Sequence, residues 1–284
     1  MTLKKHVLGT VQFGNFKYGI GSKKKFKSKK EIIKILEYAW DSKVKSYDTA
    51  PGYNTEKILG EFIKYNKLQN KINIITKISK LEKNNLYDQI CRSIDKSFQN
   101  LCVDKISTLL MHHQDDVYKI SRDKKIFEKL KRNFNIINFG FSVYDLKVAN
   151  KILNIFPQSS IQYPINILKN DFKDLKKSNK NIFYGRSIFL QGLLVKKRIK
   201  TKNLRLFNSH MNYVNFLKKE KLNPLDVCLT YAIKNKKVDY VVYGVEDLTE
   251  LKQILSTKNI NIKNDVSKKL KGFFNSKDLD PRFW

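Results

Sequence analysis

INIITKI, residues 72–78, is the stretch of sequence that decides the fold. It is an almost continuous apolar run, which is typical of a strand buried on both faces of a parallel sheet. A stretch with the helical spacing of apolar residues follows it at 83–100. VDYVVYGV, residues 238–245, is a second run of the same kind near the other end of the chain. A buried strand followed by an amphipathic helix is the repeating unit of parallel α/β proteins.

This unit occurs eight times along the chain. Strands are predicted at 7–13, 43–49, 72–78, 105–113, 137–143, 160–166, 181–189 and 238–245. Helices are predicted at 29–42, 55–66, 83–100, 117–132, 145–154, 170–178 and 247–256, with two more between 207 and 235. Eight units in about 250 residues match a (β/α)8 barrel, whereas a doubly wound open sheet usually has five or six strands.

Two absences support the barrel over other arrangements of the same units. No Gly-rich GxGxxG follows the first strand, which weakens the open-sheet alternative. No linker rich in Pro, Gly or Ser divides the chain. The prediction is therefore an α/β protein with a TIM barrel as its single domain over residues 1–284, in which 257–284 form a C-terminal helix and tail.

The net charge of +31 raises the question of nucleic-acid binding. Of the 57 basic residues only seven are arginine, and the 50 lysines are scattered along the whole sequence. Base recognition and forked phosphate contacts are mainly arginine functions. We therefore expect no specific nucleic-acid partner, and a basic nucleic-acid-associated protein is kept only as a lesser alternative.

The remaining composition indicates the cellular setting. Three cysteines without a CxxC pair argue against a disulfide framework and suit a reducing compartment. Four histidines without an HExxH or Cys/His cluster give no sign of a metal site. The sequence has neither a signal-peptide pattern nor an apolar run of about 20 residues that could span a membrane. We expect a cytoplasmic protein without a membrane partner, as a monomer or weak oligomer.

In an eightfold barrel the active site lies at the carboxyl ends of the strands, so the polar residues there are candidates for chemistry. These candidates are Asp48 with Tyr53 in the loop behind it, Lys77, His112, His113, Ser142, Gln162, Arg186 and Ser187. A carboxylate and an ammonium are costly inside a barrel unless they are paired. Because Asp48 and Lys77 end adjacent predicted strands, we expect them to meet at one mouth together with Tyr53 and His112. The other interpretation of Asp48 and Tyr53, a solvated turn around a Pro-Gly break, does not explain the partners from the next two strands.

Such a group can donate a proton to a carbonyl oxygen while hydride arrives at the carbon. A free tyrosine titrates near pH ~10, and a nearby ammonium lowers that pKa by stabilising the phenolate. Making Tyr53 an effective acid near neutrality takes roughly 3–4 kcal/mol of such stabilisation. In this hypothesis Tyr53 is the general acid, Lys77 lowers its pKa and Asp48 holds Lys77. His112, in the neutral form, orients the substrate oxygen.

These segments, in this order, closely resemble the aldo-keto reductases, which are NAD(P)-dependent (β/α)8-barrel oxidoreductases. YDTAPGYNTEKILG (47–60) is similar to the family block that carries the Asp and Tyr, and ITKIS (75–79) is similar to the Lys segment. LCVDKISTLLMHHQDD (101–116) places His112 on the family's catalytic histidine. LGTVQFG (8–14) resembles the opening strand of the family.

The resemblance also implies a nicotinamide cofactor, NADP(H) or NAD(H), without a metal. GFSVYD (140–145) and IQYPINIL (161–168) resemble the segments whose Ser and Gln hold the carboxamide, and RSIFLQGLL (186–194) resembles the pyrophosphate-side loop. YGVEDLTELKQIL (243–255) is similar to the adenosine-side segment. The cofactor-binding residues implied are Thr10, Asp48, Ser142, Gln162, Arg186, Ser187, Phe189, Gly192, Gly244, Asp247 and Glu250.

Departures from the family pattern bear on the substrate. His113 stands where many relatives have Trp in the substrate pocket, which indicates a polar aldehyde, ketone or sugar unless His113 only packs. Arg186 replaces the aromatic residue that stacks on nicotinamide; its guanidinium can also stack, or meet an anionic substrate. Trp284 in the tail either shapes the substrate pocket or clips the tail onto the barrel wall.

Two further questions stay open at this point. Glu246 and Asp247 repel a 2′-phosphate and accept ribose hydroxyls, so NAD(H) is an alternative to NADP(H), although Lys252 lies nearby in the sequence. A non-catalytic, cofactor-binding regulatory protein on the same fold is the alternative to an enzyme. The intact set of Asp48, Tyr53, Lys77 and His112 argues for the enzyme.

Overall fold

The fold is a closed barrel of eight parallel strands, as the sequence predicts. The structure is a computed structural model that describes residues 5–14, 18–20 and 27–281. The strands are β1 His6–Gly9, β2 Ser46–Asp48, β3 Asn73–Ile78, β4 Ile106–Met111, β5 Ile136–Ser142, β6 Ser160–Pro164, β7 Phe183–Arg186 and β8 Tyr240–Gly244. Each strand pairs with the next one in the chain, and β8 pairs with β1 to close the barrel.

Helices surround this barrel. They are α1 Val11–Gly14, α2 Lys29–Asp41, α3 Glu56–Tyr65, α4 Leu86–Leu101, α5 Asp116–Ile120, α6 Ile126–Asn133, α7 Leu146–Ile155, α8 Leu204–Lys219, α9 Pro224–Lys234, α10 Leu248–Leu255 and α11 Asn264–Lys271. The first long helix, α2, begins with a capping box in which the Ser28 hydroxyl accepts from the Glu31 backbone N–H and the Glu31 carboxylate accepts from the Ser28 backbone N–H.

The core has three parts, and each has a clear position. A small cluster of Val7, Ile75, Leu110, Tyr184 and Val242 comes from five different strands and fills the barrel. The largest cluster packs the outward faces of the strands against the helices and includes Leu36, Phe62 and Ile94. A third cluster lies under the segment after β7, where Leu193 and Leu194 pack with Leu206, Tyr213 and Leu270 of α8 and α11. This third cluster anchors the loop that borders one side of the candidate site.

The register of the strands brings the polar strand ends together. Asp48 at the end of β2 is opposite Gly9 of β1 and Ile75 of β3. Lys77 is opposite Leu110 of β4, and Ser142 at the end of β5 is opposite Gln162 of β6. Because all strands are parallel, their carboxyl ends open on the same side of the barrel. The candidate residues therefore surround one mouth.

The predicted first strand, 7–13, is wrong in its second half. The strand ends at Gly9, and Val11–Gly14 form a helical turn in which the Phe13 N–H donates to the Thr10 carbonyl oxygen at 2.9 Å. The turn packs directly on the Tyr53 backbone, where a Cβ on Gly14 would overlap the Tyr53 carbonyl oxygen. Such a close approach is possible only because residue 14 is glycine.

Two of the predicted helices also differ from the structure. The stretch 117–132 is broken into α5 and α6, because the Asp123 carboxylate accepts from the Lys125 N–H at 3.1 Å and so competes with the helical pattern. The stretch 170–178 forms turns without a helix. Its apolar residues Phe172 and Leu175 are three apart and both are buried by a single turn. Helical spacing over so few residues does not distinguish one turn from a helix.

Candidate active site

A buried ion pair joins the ends of β2 and β3. The Lys77 ammonium donates to Asp48 Oδ1 at 2.7 Å and to the Thr49 carbonyl oxygen at 2.8 Å. Lys77 is 1% exposed and Asp48 is 4% exposed, so water compensates neither charge. Burial lowers the pKa of Lys77, but the charges and hydrogen bonds of Asp48 and Tyr53 outweigh burial and raise that pKa overall. Lys77 is therefore an ammonium at neutral pH.

The second carboxylate oxygen of Asp48 is also bound. Gln162, at the middle of β6, donates its amide nitrogen to Asp48 Oδ2 at 2.7 Å from the opposite side of the barrel. Because a carboxylate only accepts, this contact fixes which end of the amide is the nitrogen. The carbonyl oxygen of Gln162 then serves as an acceptor toward the cavity that Gln162 lines. Asp48 thus ties three strands together at the mouth.

Tyr53 is placed by a short turn after β2. Residues Pro51–Tyr53 form one 3-10 turn, which ends at Asn54 in the left-handed conformation with φ of 56°. Lys77 Nζ lies 4.9 Å from the centroid of the Tyr53 ring, so the ammonium and the phenol are close neighbours. Thr55 follows at the N-cap position of α3, but its side chain does not cap the helix, because its hydroxyl bonds those of Thr10 at 2.8 Å and Thr49 at 3.0 Å.

Two opposing effects act on the pKa of Tyr53, and the expected lowering by Lys77 is only one of them. Burial raises the pKa of Tyr53, and this effect exceeds the lowering by the charge of Lys77. The net direction is upward, contrary to the sequence-based expectation, because the sequence does not show how strongly the phenol is desolvated. Tyr53 consequently carries its proton at neutral pH, which is the state a general acid needs.

His112 follows β4 and faces Tyr53. The two rings lie edge to face, with centroids 5.8 Å apart and an angle of 84° between the planes. Burial lowers the pKa of His112 to about 3, with further lowering by Lys77, His113 and Arg186. The imidazole is therefore neutral at pH 7, as the hypothesis requires. His113 is exposed, and its ring centroid lies 5.5 Å from that of His112.

A cavity of about 690 Å³ opens beside this group and runs along the mouth of the barrel. Asp48 and Tyr53 line it, and so do Glu246, Glu250 and Lys258. The residues predicted to bind the cofactor that line it are Asp48, Gln162, Arg186, Ser187, Phe189, Gly192, Gly244 and Glu250. A single cavity thus brings together strand-end residues from β2, β6, β7 and β8.

Three residues predicted to bind the cofactor do not line the cavity. Thr10 is buried, and its hydroxyl bonds the Thr55 hydroxyl at 2.8 Å and the Asp48 carbonyl oxygen at 3.2 Å. Ser142 is buried beside Gln162, its partner in the strand register. Asp247 is the N-cap of α10 and accepts from the Glu250 N–H at 2.9 Å. Trp284, predicted to line the substrate pocket, lies outside the described residues.

Two carboxylates, Glu246 and Glu250, line the cavity on the side of β8 and α10. Glu250 accepts from the Glu246 N–H at 2.7 Å, and burial raises the pKa of Glu250. Glu246 in turn forms an ion pair of 2.9 Å with Lys196, which belongs to the loop after β7. The three carboxylates Glu246, Asp247 and Glu250 therefore outnumber the one ammonium that pairs with them in the described residues.

The loop after β7 has an unusual backbone. Ser187, Leu190 and Gln191 have positive φ angles of 58°, 45° and 51°, and Gly192 has 93°. The Gln191 carbonyl oxygen accepts from the Ile20 N–H at 2.9 Å, which ties this loop to the segment after β1. Positive φ at three non-glycine residues costs energy and is maintained only where the surroundings fix the backbone. The sequence RSIFLQGLL did not indicate this conformation.

Tyr18 is a cavity residue that the sequence analysis missed. It lines the same cavity as Tyr53, and burial raises its pKa to about 12. Charges on Arg186, Tyr53 and Asp48 act on its hydroxyl, which places it among the candidate catalytic residues. The signal available was its position in the loop that follows β1, since the loops after barrel strands build the active site.

The sequence matches one known protein family over most of its length. The model for the aldo/keto reductase family matches residues 7–274. The chain belongs to the aldo/keto reductase family. No curated protein matches the chain. The family and the barrel support an oxidoreductase that uses a nicotinamide cofactor.

Solved structures agree with this aldo/keto reductase fold. The chain is similar to the glycerol dehydrogenase AKR11B4 from Gluconobacter oxydans, with a TM-score of 0.72 and 15% identity over 95% of this chain and 90% of that one. It is also similar to PA4992, a proposed aldo-keto reductase from Pseudomonas aeruginosa, with a TM-score of 0.64 and 17% identity over 89% and 88% of the two chains. At such identities the likeness shows the fold alone, so neither structure assigns a substrate to this chain.

Two kinds of feature are absent from the described residues of this aldo/keto reductase. In residues 5–14, 18–20 and 27–281, no three His, Cys, Asp or Glu side chains are grouped so that they could hold a metal ion. Within the same ranges no helix has the length and apolar character needed to cross a membrane.

Proposed function

We propose that this protein interconverts a carbonyl and an alcohol by hydride transfer with NAD(P)H, and that Tyr53 is the general acid. The carbonyl belongs to an aldehyde, ketone or sugar. The observation that carries the proposal is the position of Tyr53, whose ring lies 4.9 Å from the ammonium of the buried Lys77–Asp48 pair. A buried ion pair beside a protonated phenol at the mouth of a barrel suits proton donation better than a structural role.

The cavity fits the cofactor that the family implies. Its volume of about 690 Å³ lies in the range of small-molecule sites. Its lining extends from strand-end residues of β2 to residues of α10, which suits a dinucleotide; Gln162 would then meet the carboxamide and Glu250 the ribose of the adenosine. The loop from Ser187 to Gly192 would border the pyrophosphate. When bound there, the nicotinamide would supply hydride to the carbonyl carbon.

The side chains of this chain then have separate tasks. The Tyr53 hydroxyl donates its proton to the carbonyl oxygen, and the Lys77 ammonium stabilises the phenolate that remains. Asp48 holds Lys77 in place and charged, since it accepts from Nζ at 2.7 Å. Neutral His112 donates a hydrogen bond to the same substrate oxygen and so directs the carbonyl toward Tyr53.

The carboxylates that line the cavity support NAD(H) as the preferred form. Carboxylates accept the 2′- and 3′-hydroxyls of a ribose but repel a 2′-phosphate. Glu246 and Glu250 both line the cavity, and Lys196 is paired with Glu246. Glu250 forms no ion pair among the described residues, so it would be the acceptor for a ribose hydroxyl.

The test of the proposal is the Tyr53→Phe variant. Without the hydroxyl, turnover of an aldehyde and sugar panel should fall by roughly 10²–10⁴-fold, the typical contribution of a general acid. Binding of NADH and NADPH, followed by fluorescence, should stay within about twofold of wild type because the ring remains. Tyr65→Phe is the matched control, since Tyr65 is 85% exposed on α3.

Two outcomes count against the proposal. Wild-type turnover by Tyr53→Phe means that Tyr53 is not the acid. Tight nucleotide binding by the wild-type protein without turnover of any member of the panel favours the regulatory alternative over the enzyme.

A further inference from the structure

Arg186 is a fixed cation in the wall of the cavity. It ends β7 and lines the cavity together with Tyr53, Asp48 and Tyr18. Its Nη2 donates to the Val143 carbonyl oxygen at 3.1 Å, and its Nη1 donates to the Ser187 hydroxyl at 3.3 Å. Hydrogen bonds to the residue after β5 and to the residue after Arg186 hold the guanidinium in one orientation.

An aromatic ring supports one face of this guanidinium. The Arg186 Cζ lies 4.1 Å from the centroid of the Tyr144 ring, a stacking distance. Tyr144 is itself held, because its backbone N–H donates to the Gln114 side-chain oxygen at 2.7 Å. Arg186 is therefore pre-organised by residues that follow β4 and β5.

The charge of Arg186 has no carboxylate partner among the residues that the structure describes. Among the ion pairs of the described residues none includes Arg186, and its remaining N–H groups have no protein acceptor there. A half-buried cation without a counter-ion is costly unless a ligand supplies one. Asp48, a carboxylate that lines the same cavity, is already bound by Lys77 and Gln162.

Arg186 lines the same cavity as Tyr53, the proposed proton donor, and its charge acts on Tyr53. Its charge lowers the pKa of Tyr53 and that of His112, so it acts at the point where the carbonyl must lie. The charge of Arg186 also acts to lower the pKa of the Tyr18 hydroxyl. An anionic group bound by Arg186 would thus place a carbonyl within a few bonds of it against Tyr53.

We infer that the substrate carries an anionic group, a carboxylate or a phosphate, close to its carbonyl and that Arg186 binds this group. The inference rests on the proposed carbonyl chemistry of the same site and adds the class of substrate to it. A planar guanidinium held along two edges recognises a carboxylate or phosphate through paired hydrogen bonds. The net charge of +31 also favours this substrate class, because a strongly positive protein raises the encounter rate of small anions.

The test compares two pairs of substrates that differ in charge. The pairs are 4-oxobutanoate with butanal and glyceraldehyde 3-phosphate with glyceraldehyde. For the wild-type protein kcat/KM should be at least roughly tenfold higher for the anionic member of one pair, and it should fall with added salt. The carboxylate and phosphate pairs distinguish the two sources of the negative charge.

Arg186→Met removes the cation at nearly constant length. The ratio of kcat/KM between the anionic and neutral members should fall by roughly tenfold or more, chiefly through KM, and Arg186→Lys should recover part of it. Arg92→Met is the control, because it removes an equal charge from an exposed position on α4. The inference is overturned if the wild-type ratio does not exceed one in either pair, or if Arg186→Met leaves the ratio unchanged.

A binding measurement keeps this inference separate from the proposed function. Succinate has the carboxylate without a reducible carbonyl, so its binding in the presence of NADH can be titrated by calorimetry. We expect binding to wild type and to Arg92→Met but not to Arg186→Met. Equal or absent binding to all three proteins contradicts the anion site. Failure to turn over any of the four aldehydes contradicts the proposed function, whatever the titration gives.

Discussion

Lys77 and Asp48 form an ion pair of 2.7 Å in which both side chains are buried at the mouth of the barrel. The pair is completed by Gln162 on Asp48 and by the Thr49 carbonyl oxygen on Lys77. A buried pair of this kind adds little net stability compared with apolar side chains, but it is costly to break on one side only. Its value lies in holding an ammonium beside Tyr53, where water cannot screen it.

Removing the cation alone should therefore destabilise the protein. Lys77→Met leaves the Asp48 carboxylate buried without its ammonium, and the free energy of unfolding should fall by about 3–5 kcal/mol, as measured by urea denaturation. Lys129→Met breaks an exposed pair of 2.7 Å with Asp123 and should cost less than about 1 kcal/mol. The double variant Lys77→Met with Asp48→Asn should recover part of the loss. Equal losses in the two single variants would mean that burial of the pair is irrelevant.

Gly14 should control activity through Tyr53 without touching the substrate. A Cβ at position 14 overlaps the Tyr53 carbonyl oxygen, so Gly14→Ala must displace the turn that carries the phenol. Because a misplacement of about 1 Å can cost roughly 100-fold in rate, kcat should fall by that order while cofactor binding changes little.

The matched control for Gly14 lies in the Pro51–Tyr53 turn, which carries the phenol. A Cβ on Gly52 would meet no atom within 4 Å, so Gly52→Ala should keep kcat near the wild-type value. Steady-state kinetics of both variants give the two kcat values to be compared with wild type. A loss of kcat that is the same in both variants would show that the turn tolerates no alanine anywhere, rather than a specific contact with Gly14.

The eightfold fold could be predicted because its signal repeats along the chain. Runs such as 72–78 and 238–245 are apolar almost throughout, and a single misjudged element does not change the count of strands. The helix predicted at 170–178 shows the limit, because Phe172 and Leu175 satisfy helical spacing within one turn. The local spacing of apolar residues does not show how many helical turns follow, because tertiary packing determines that number.

The site could be predicted in part. Asp48 and Lys77 were expected to pair because each is costly in a barrel mouth alone, and the pair is present. The predicted net lowering of the Tyr53 pKa is wrong, since the pKa also depends on how strongly all the neighbours of the ring desolvate it and not on Lys77 alone. The hydrogen bond of Gln162 to Asp48 joins residues 114 apart in sequence, and no local pattern indicates it.

The preference between NADH and NADPH should respond to Glu246. Glu246→Gln removes one carboxylate from the cavity and releases Lys196 from its ion pair. Both changes favour a 2′-phosphate, so the ratio of the dissociation constants for NADPH and NADH should fall by roughly tenfold, as an ion-pair contribution implies. Glu128→Gln on α6 is exposed and outside the cavity, so it should leave the ratio unchanged. An unchanged ratio in Glu246→Gln would place the ribose of the adenosine elsewhere.

His6 should make the fold sensitive to acid. Its ring is 1% exposed, and its Nδ1 lies 3.0 Å from the Tyr243 hydroxyl oxygen. Burial lowers the pKa of His6 from its ordinary value of 6.5 to about 4. Between these values the unfolded chain binds a proton that the folded chain does not, so stability is present above pH 6.5 and is lost as the pH falls toward 4.

The size of this acid effect follows from the two pKa values. The difference between the folded and unfolded pKa values of His6 lowers the free energy of unfolding by about 3 kcal/mol as the pH falls from 7 to 4. His6→Gln keeps a hydrogen-bonding group for Tyr243 and should make the decline in stability over this range smaller by that order, as measured by urea denaturation at several pH values. His113→Gln removes an imidazole from an exposed position and should leave the slope close to wild type. His112 contributes in the same direction in both variants, because burial lowers its pKa to about 3. A His6→Gln protein that loses stability with acid as steeply as wild type would show that His6 is not the group responsible.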